Sequence, residues 1–156
     1  MTQLTKFGVI LDDLTMSQKT FLAITQINKR VQEDLSFDAV IFTKNMAIPC
    51  IRPKCANVFI QEIAHYDGML IATDLDSAMI MIKSVNRAKK AFYVWDLEWI
   101  RRSKDFLENM NVYRSPEIKL VARSETHAKE IEKYSGRKVE AVVDDFNLDK
   151  LLELYK

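Results

Sequence analysis

The sequence predicts an α/β domain: a doubly wound, mostly parallel Rossmann-like sheet of about six strands with helices on both faces. Three observations predict it. Short, continuous apolar runs recur along the chain, as strands buried on both faces require. Between them lie segments with a 3.6-residue apolar period or a helix-capping residue. The last third, Lys119 to Lys156, reads strand, serine, helix, glycine, strand, acidic turn, helix.

Phe7 to Leu11 is the first strand, and Asp12-Asp13-Leu14-Thr15 is the loop after it. Ser17 is placed to cap a helix that sets Phe21, Ile24, Ile27 and Val31 on one face. Phe37 to Phe42 is the second strand. A looser stretch with Pro49 and Pro53 follows and is the candidate mobile segment, and Asn57 to Ile60 returns to strand. Met69 to Ala72 is a buried strand. Thr73 or Asp74 then caps a helix carrying Ala78, Met79, Met81 and Ile82. Ala91 to Trp95 is a further strand, and Trp99 to Met110 a mixed helix. In the closing block, Lys119 to Arg123 is a strand, Ser124 caps a helix through Tyr134, and Gly136 stops it. Val139 to Val143 is the last strand, and Asp144-Asp145-Phe146 turns the chain into a helix from Asn147 to Tyr155. No repeat or linker divides residues 1–156, so one domain is expected.

A chain of 156 residues can bury a real core. Its 48% hydrophobic and 29% charged residues are those of a globular protein, not a disordered one. The net charge of +1 excludes a global pull toward nucleic acid or membrane, so any basic surface has to be local. No run approaches the roughly 20 apolar residues that span a bilayer. Met1 to Lys6 lacks the charged-then-apolar pattern of a secretion signal, and cytoplasmic residence is expected. Cys50 and Cys55 read as free thiols, because no second Cys or His pair completes a zinc site and His65 and His127 stand alone. Gly8, Gly68 and Gly136 match neither the dinucleotide nor the Walker glycine pattern, so no cofactor is expected.

Function in such a sheet sits at the carboxyl ends of the strands. Three acidic groups fall there: Asp12 and Asp13, Asp74 and Asp76, and Asp96 with Glu98. Asp74-Leu75-Asp76 has a spacing at which two carboxylates share a hard cation, but it equally suits a helix N-terminus. The phosphatase loop it also suggests would have a threonine where Ala78 stands. Asp12 and Asp13 fit either a catalytic or ribose-binding group or a helix-entry turn. Asp96 lies between Trp95 and Trp99; partial burial there would raise its pKa and suit general-base work. Its alternative role is to cap the next helix. The one dense basic segment is Lys83, Arg87, Lys89, Lys90, Arg101, Arg102 and Lys104, interleaved with Phe92, Tyr93, Trp95 and Trp99. Cations beside exposed aromatics can grip a nucleic-acid backbone and stack bases, whereas a solvated helix end beside a buried strand would look the same. His127, three residues after Ser124, reads as packed or capping, with catalysis the alternative.

Ala91 to Trp99 and Ser115 to Phe146 resemble the N-terminal lobe of GT-B glycosyltransferases, especially bacteriophage DNA glucosyltransferases. The matching residues are Lys90 to Asp96, Ser115-Pro116, Lys119 to Ala122, and Ser124 to Val143, in about half the chain. The resemblance implies a lobe that contacts the acceptor, DNA in the phage enzymes, with Asp96 as general base. In those enzymes a second lobe supplies most contacts to the UDP-sugar, and many have a glycine-rich first loop. The sequence has no counterpart of either. The expectation is therefore a single-lobe protein, non-catalytic alone. It would bind DNA or a protein partner through the carboxyl edge of the sheet and segment 83–104. One alternative is the acceptor-binding half of a glycosyltransferase completed by a partner chain. Another is a small metal-dependent enzyme using Asp12 and Asp13 or Asp74 and Asp76.

Overall fold

Strands that are apolar at every position must be covered on both faces, and parallel strands must be joined by crossovers. A computed structural model, which describes residues 4–156, has this arrangement. The first three residues, read above for a targeting signal, lie outside the described residues. The strands are β1 Thr5–Leu11, β2 Phe37–Thr43, β3 Ala56–Phe59, β4 Met69–Ala72, β5 Lys89–Val94, β6 Lys119–Ala122 and β7 Ala141–Val142. They form one seven-stranded sheet, one strand more than expected, in the order β3-β2-β1-β4-β5-β6-β7. Every pairing is parallel. The helices are α1 Gln18–Glu33, α2 Leu75–Lys83, α3 Phe106–Arg114, α4 Glu125–Ser135 and α5 Leu148–Glu153. None of the described helices is long and apolar enough to cross a membrane.

Side-chain alternation along each strand makes two cores. Phe7, Val9 and Leu11 of β1, with Ala91 and Tyr93 of β5, face Ile24 and Ile27 of α1 and Leu148 and Leu151 of α5. Ile10, Phe92 and Val94 face the other way, toward Ala78, Met81, Met110, Tyr113 and Ile131 of α2, α3 and α4. Local signals place the helix starts. Ser17 accepts from Thr20 N, Asp74 forms a reciprocal capping box with Ser77, and Ser124 accepts from His127 N. Gly136 ends α4 at φ 71°.

Two elements differ from the expectation. The stretch from Trp99 to Met110 is not one helix but two 3₁₀ turns, Glu98–Ile100 and Ser103–Asp105, before α3 begins at Phe106. No side chain caps either turn or α3, so nothing fixes an earlier start. The strand expected over Val139 to Val143 shortens to Ala141–Val142. Ahead of it, Glu140 N donates to Leu120 O at 2.8 Å, while the Glu140 carboxylate takes Leu120 N at 2.6 Å. A side chain therefore replaces the next ladder bond.

The crossover from β3 to β4 is also unusual. Only a 3₁₀ segment, Ile60–His65, lies between them. The Tyr66 ring then lies on the sheet where a helix would otherwise sit. A Cβ at Gly8 would stand 3.0 Å from Tyr66 Cε1 and 2.9 Å from Phe42 Cε2, and one at Gly68 would stand 2.7 Å from the Tyr66 hydroxyl. The Tyr66 ring thus crowds two of the three glycines, together with Phe42 at Gly8 and with Lys6, whose Cβ and backbone oxygen lie 2.6 and 2.7 Å away, at Gly68.

Candidate functional site at the strand switch point

The strand order reverses between β1 and β4, because β1 connects outward to β2 while β4 leads to β5 on the other side. A crevice opens at the carboxyl ends of strands at such a point. The residues following β1, β2 and β4 meet there. Lys44 Nζ lies 3.3 Å from Asp12 Oδ1 and 3.1 Å from Asp74 Oδ1. Burial alone would lower the Lys44 pKa, but Asp74 and then Asp12 outweigh it and hold the ammonium above its ordinary value. Asp74 also accepts from Ser77 N at 2.8 Å as the cap of α2, and its second oxygen is buried without a hydrogen-bond partner among the described residues. Lys19 Nζ reaches Thr73 O at 3.4 Å on the same rim.

Asp13 turns away from this group. Its carboxylate accepts from Thr15 N at 2.8 Å and from the Thr15 hydroxyl, and these bonds hold its pKa below the usual range. It makes the helix-entry turn, leaving Asp12 as the exposed carboxylate of the pair. Asp74 and Asp76 do not converge either. Asp76 pairs in two-pronged fashion with Arg102 at 2.7 and 2.9 Å, and this hydrogen bonding depresses its pKa. No group of three metal-ligating side chains gathers among the described residues. Of the two carboxylates of the Asp74-Leu75-Asp76 motif, Asp74 caps α2 and pairs with Lys44, and Asp76 pairs with Arg102.

The carboxylate that does enter the site is Glu98. Its Oε2 accepts from Leu75 N, the first amide of α2, at 2.6 Å. It occupies the place where a helix N-terminus would hold an external anion. Burial raises its pKa, the Leu75 hydrogen bond opposes this, and nearby Asp74 adds to the rise. In the sequence Glu98 is simply the second acid after β5, and its place directly before Trp99 is the one local signal for it. Asp96 itself is exposed, so the partial burial expected of a general base is missing, and it caps no helix.

The basic segment does not form one surface. Lys83, Arg87, Lys89 and Lys90 lie at the amino end of β5, and Arg101, Arg102 and Lys104 beyond its carboxyl end. Four residues of strand, Ala91 to Val94, about 13 Å, lie between the two sets. Lys90 is buried, with Nζ 2.7 Å from Ser84 O at the end of α2, and Lys89 reaches Tyr155 O beyond α5. Arg114 and Arg137 likewise bind carbonyls at the ends of α4 and α3. These cations satisfy the orphan carbonyls of helix C-termini. The aromatics are not available for stacking. Phe92 and Tyr93 are 0% exposed, Trp95 7% and Trp99 5%, and Trp99 packs edge-on against Tyr113 at 5.0 Å. Their apolar character belongs to the core.

At the carboxyl edge, acidic groups dominate. Asp12, Asp13, Asp74, Asp76, Asp96, Glu98, Asp105, Asp144 and Asp145 outnumber Lys19, Lys44, Arg101, Arg102, Lys104, Arg123 and Lys150, which pairs with Asp144. His127 serves the α4 cap: Ser124 Oγ lies 2.7 Å from its Nδ1 and accepts from its backbone N. Burial and then Arg123 lower its pKa, against Asp96. Cys50 and Cys55 are free thiols, and burial pushes Cys55 up to about 11. Comparison with protein-family models and with curated proteins finds no match to this chain.

Proposed function

We propose that this chain is a GT-B-like binding lobe, non-catalytic by itself, which engages a protein partner across the carboxyl edge of its sheet. The observation that carries this reading is the charge at the switch point. Asp12, Lys44 and Asp74 are linked there, and Glu98 fills the α2 N-terminus. A helix start already occupied by the protein's own carboxylate is a poor place for a diphosphate. An edge with an acidic excess repels phosphodiesters, which disfavours DNA as the partner. A protein with complementary cations suits it better.

The test uses the whole chain. Duplex DNA at low salt is expected to show no retention, and UDP-sugars no shift in melting temperature. A photo-crosslinker at Leu97 is expected to capture a protein that one at Lys83, on the opposite edge, does not. DNA retention that falls steeply with salt would overturn the preference for protein. A stabilisation approaching about 2.7 kcal/mol at 100 times a sugar nucleotide's Kd would overturn the non-catalytic reading.

A further inference from the structure

A parallel sheet needs cover on both faces, and between β3 and β4 the usual crossover helix is missing. Beside the 3₁₀ segment this leaves an open bay of about 490 Å³ over β2 and β3. Val40, Phe42 and Val58 form its floor, and Met46, Phe59 and Tyr66 its walls. Val40 and Val58 are only half-buried, while Met46 is 60% and Phe59 47% exposed. The size is that of a ligand-binding concavity, within about 300–1,000 Å³.

The rim carries an acidic excess, since Lys6, the β1 neighbour of Asp38, is itself tied to Asp67 at 2.9 Å. Glu62 lines it, with His65 beside it. Asp38 projects from the same face of β2 as Val40 and Phe42, by strand alternation. The Tyr66 hydroxyl is buried without a partner among the described residues, and burial followed by Asp38 and Asp67 pushes its pKa up. The paired length of β2 and β3 is four residues, about 13 Å, which matches roughly two turns of α-helix.

We propose that this bay docks an amphipathic helix from a partner protein, whose apolar stripe takes the place of the missing crossover helix and whose flanking cations meet Glu62 and Asp38. The apolar surface lies on the face of the sheet, where a helix packs. A strand would add to the β3 edge instead. Two turns present residues i, i+3, i+4 and i+7 to the floor. The carboxylates on the rim set the sign of the flanking charges.

The test is fluorescence anisotropy of the whole protein with designed peptides of about 14 residues, roughly four turns. One has leucines at i, i+3, i+4 and i+7 with lysine flanks. A second has glutamate flanks, and a third has a central proline that breaks the helix. The lysine-flanked helix is expected to bind, with both twins at least about tenfold weaker. Val58→Lys should weaken it at least about tenfold, while Val85→Lys, at a fully exposed position, should not. Met46→Lys, in an exposed loop, repeats the test should Val58→Lys fail to fold. Equal binding to the wild type and to Met46→Lys would overturn the proposal, as would no binding of the lysine-flanked helix. Undiminished binding of the proline twin would replace helix docking with strand addition. A concentration-dependent dimer abolished by Met46→Lys would replace the partner with a second copy of this chain.

Discussion

Substituting Gly8 by alanine probes the contact between the Tyr66 ring and the sheet. The new Cβ would stand 2.9 Å from Phe42 Cε2, 3.0 Å from Tyr66 Cε1 and 3.1 Å from Leu70 Cδ1. All three are side-chain atoms, so the rings can tilt but cannot stay. Overpacking of this kind costs about 1–3 kcal/mol. For a chain of 156 residues that lowers Tm by about 3–9 °C. Gly68→Ala should cost more, because its Cβ meets the Lys6 backbone oxygen at 2.7 Å and Lys6 Cβ at 2.6 Å. Gly136→Ala is the reference. It meets nothing within 4 Å but holds φ at 71°, and should cost about 1 kcal/mol. Urea and thermal melts measure all three. Adding Tyr66→Ala should recover at least about 0.5 kcal/mol of the Gly8→Ala loss and none of the Gly136→Ala loss. Strictly additive effects of Gly8→Ala and Tyr66→Ala would refute the argument that this ring dictates the glycine.

Lys44→Met should cost about 1–3 kcal/mol in the same melts, since Asp74, only 15% exposed, loses its cation. Asp12→Asn, on the 59% exposed side of the same lysine, should fall within about 0.5 kcal/mol; equal losses would contradict the burial difference. Glu98→Gln keeps an acceptor for Leu75 N but removes the charge. The folded-state pKa of Glu98 lies above its ordinary value, so its contribution is present at acid pH and is lost as pH rises through that folded value. Urea midpoints of wild type and Glu98→Gln should therefore coincide below about pH 4 and favour the variant at neutral pH. A less stable variant at neutral pH would mean that the Leu75 hydrogen bond outweighs burial.

The caps and the strand runs were legible because each depends on neighbours in the chain. Ser17, Asp74, Ser124 and Gly136 act on amides or carbonyls a few residues away. The site was less legible because it depends on strand order. Lys44 reaches Asp74 across 30 positions only because β2 and β4 flank β1, and Glu98 reaches Leu75 across 23. Nothing in a linear reading fixes that order. Asp13 and Asp76 were ambiguous for a different reason. A carboxylate beside a strand end looks the same whether it closes a turn on Thr15, pairs with Arg102 or faces solvent. The separation of Lys83 and Arg87 from Arg101 and Lys104 follows from the run Ala91 to Trp95 itself, since a strand between two cations puts them at opposite ends.

The lysines and arginines seated on helix C-termini at one edge, and the aspartates and glutamate at helix starts on the other, act over a longer range than any one contact. Crossover helices of a parallel sheet all point the same way, so their dipoles would add to a large molecular moment. Here both poles carry opposing formal charge, and the net charge is +1. At long range the two edges nearly cancel, so a distant molecule feels little net charge. Within about one Debye length, roughly 8–10 Å, each edge shows a field of its own sign. A partner is thus sorted by edge only on close approach, and added salt should blunt that sorting.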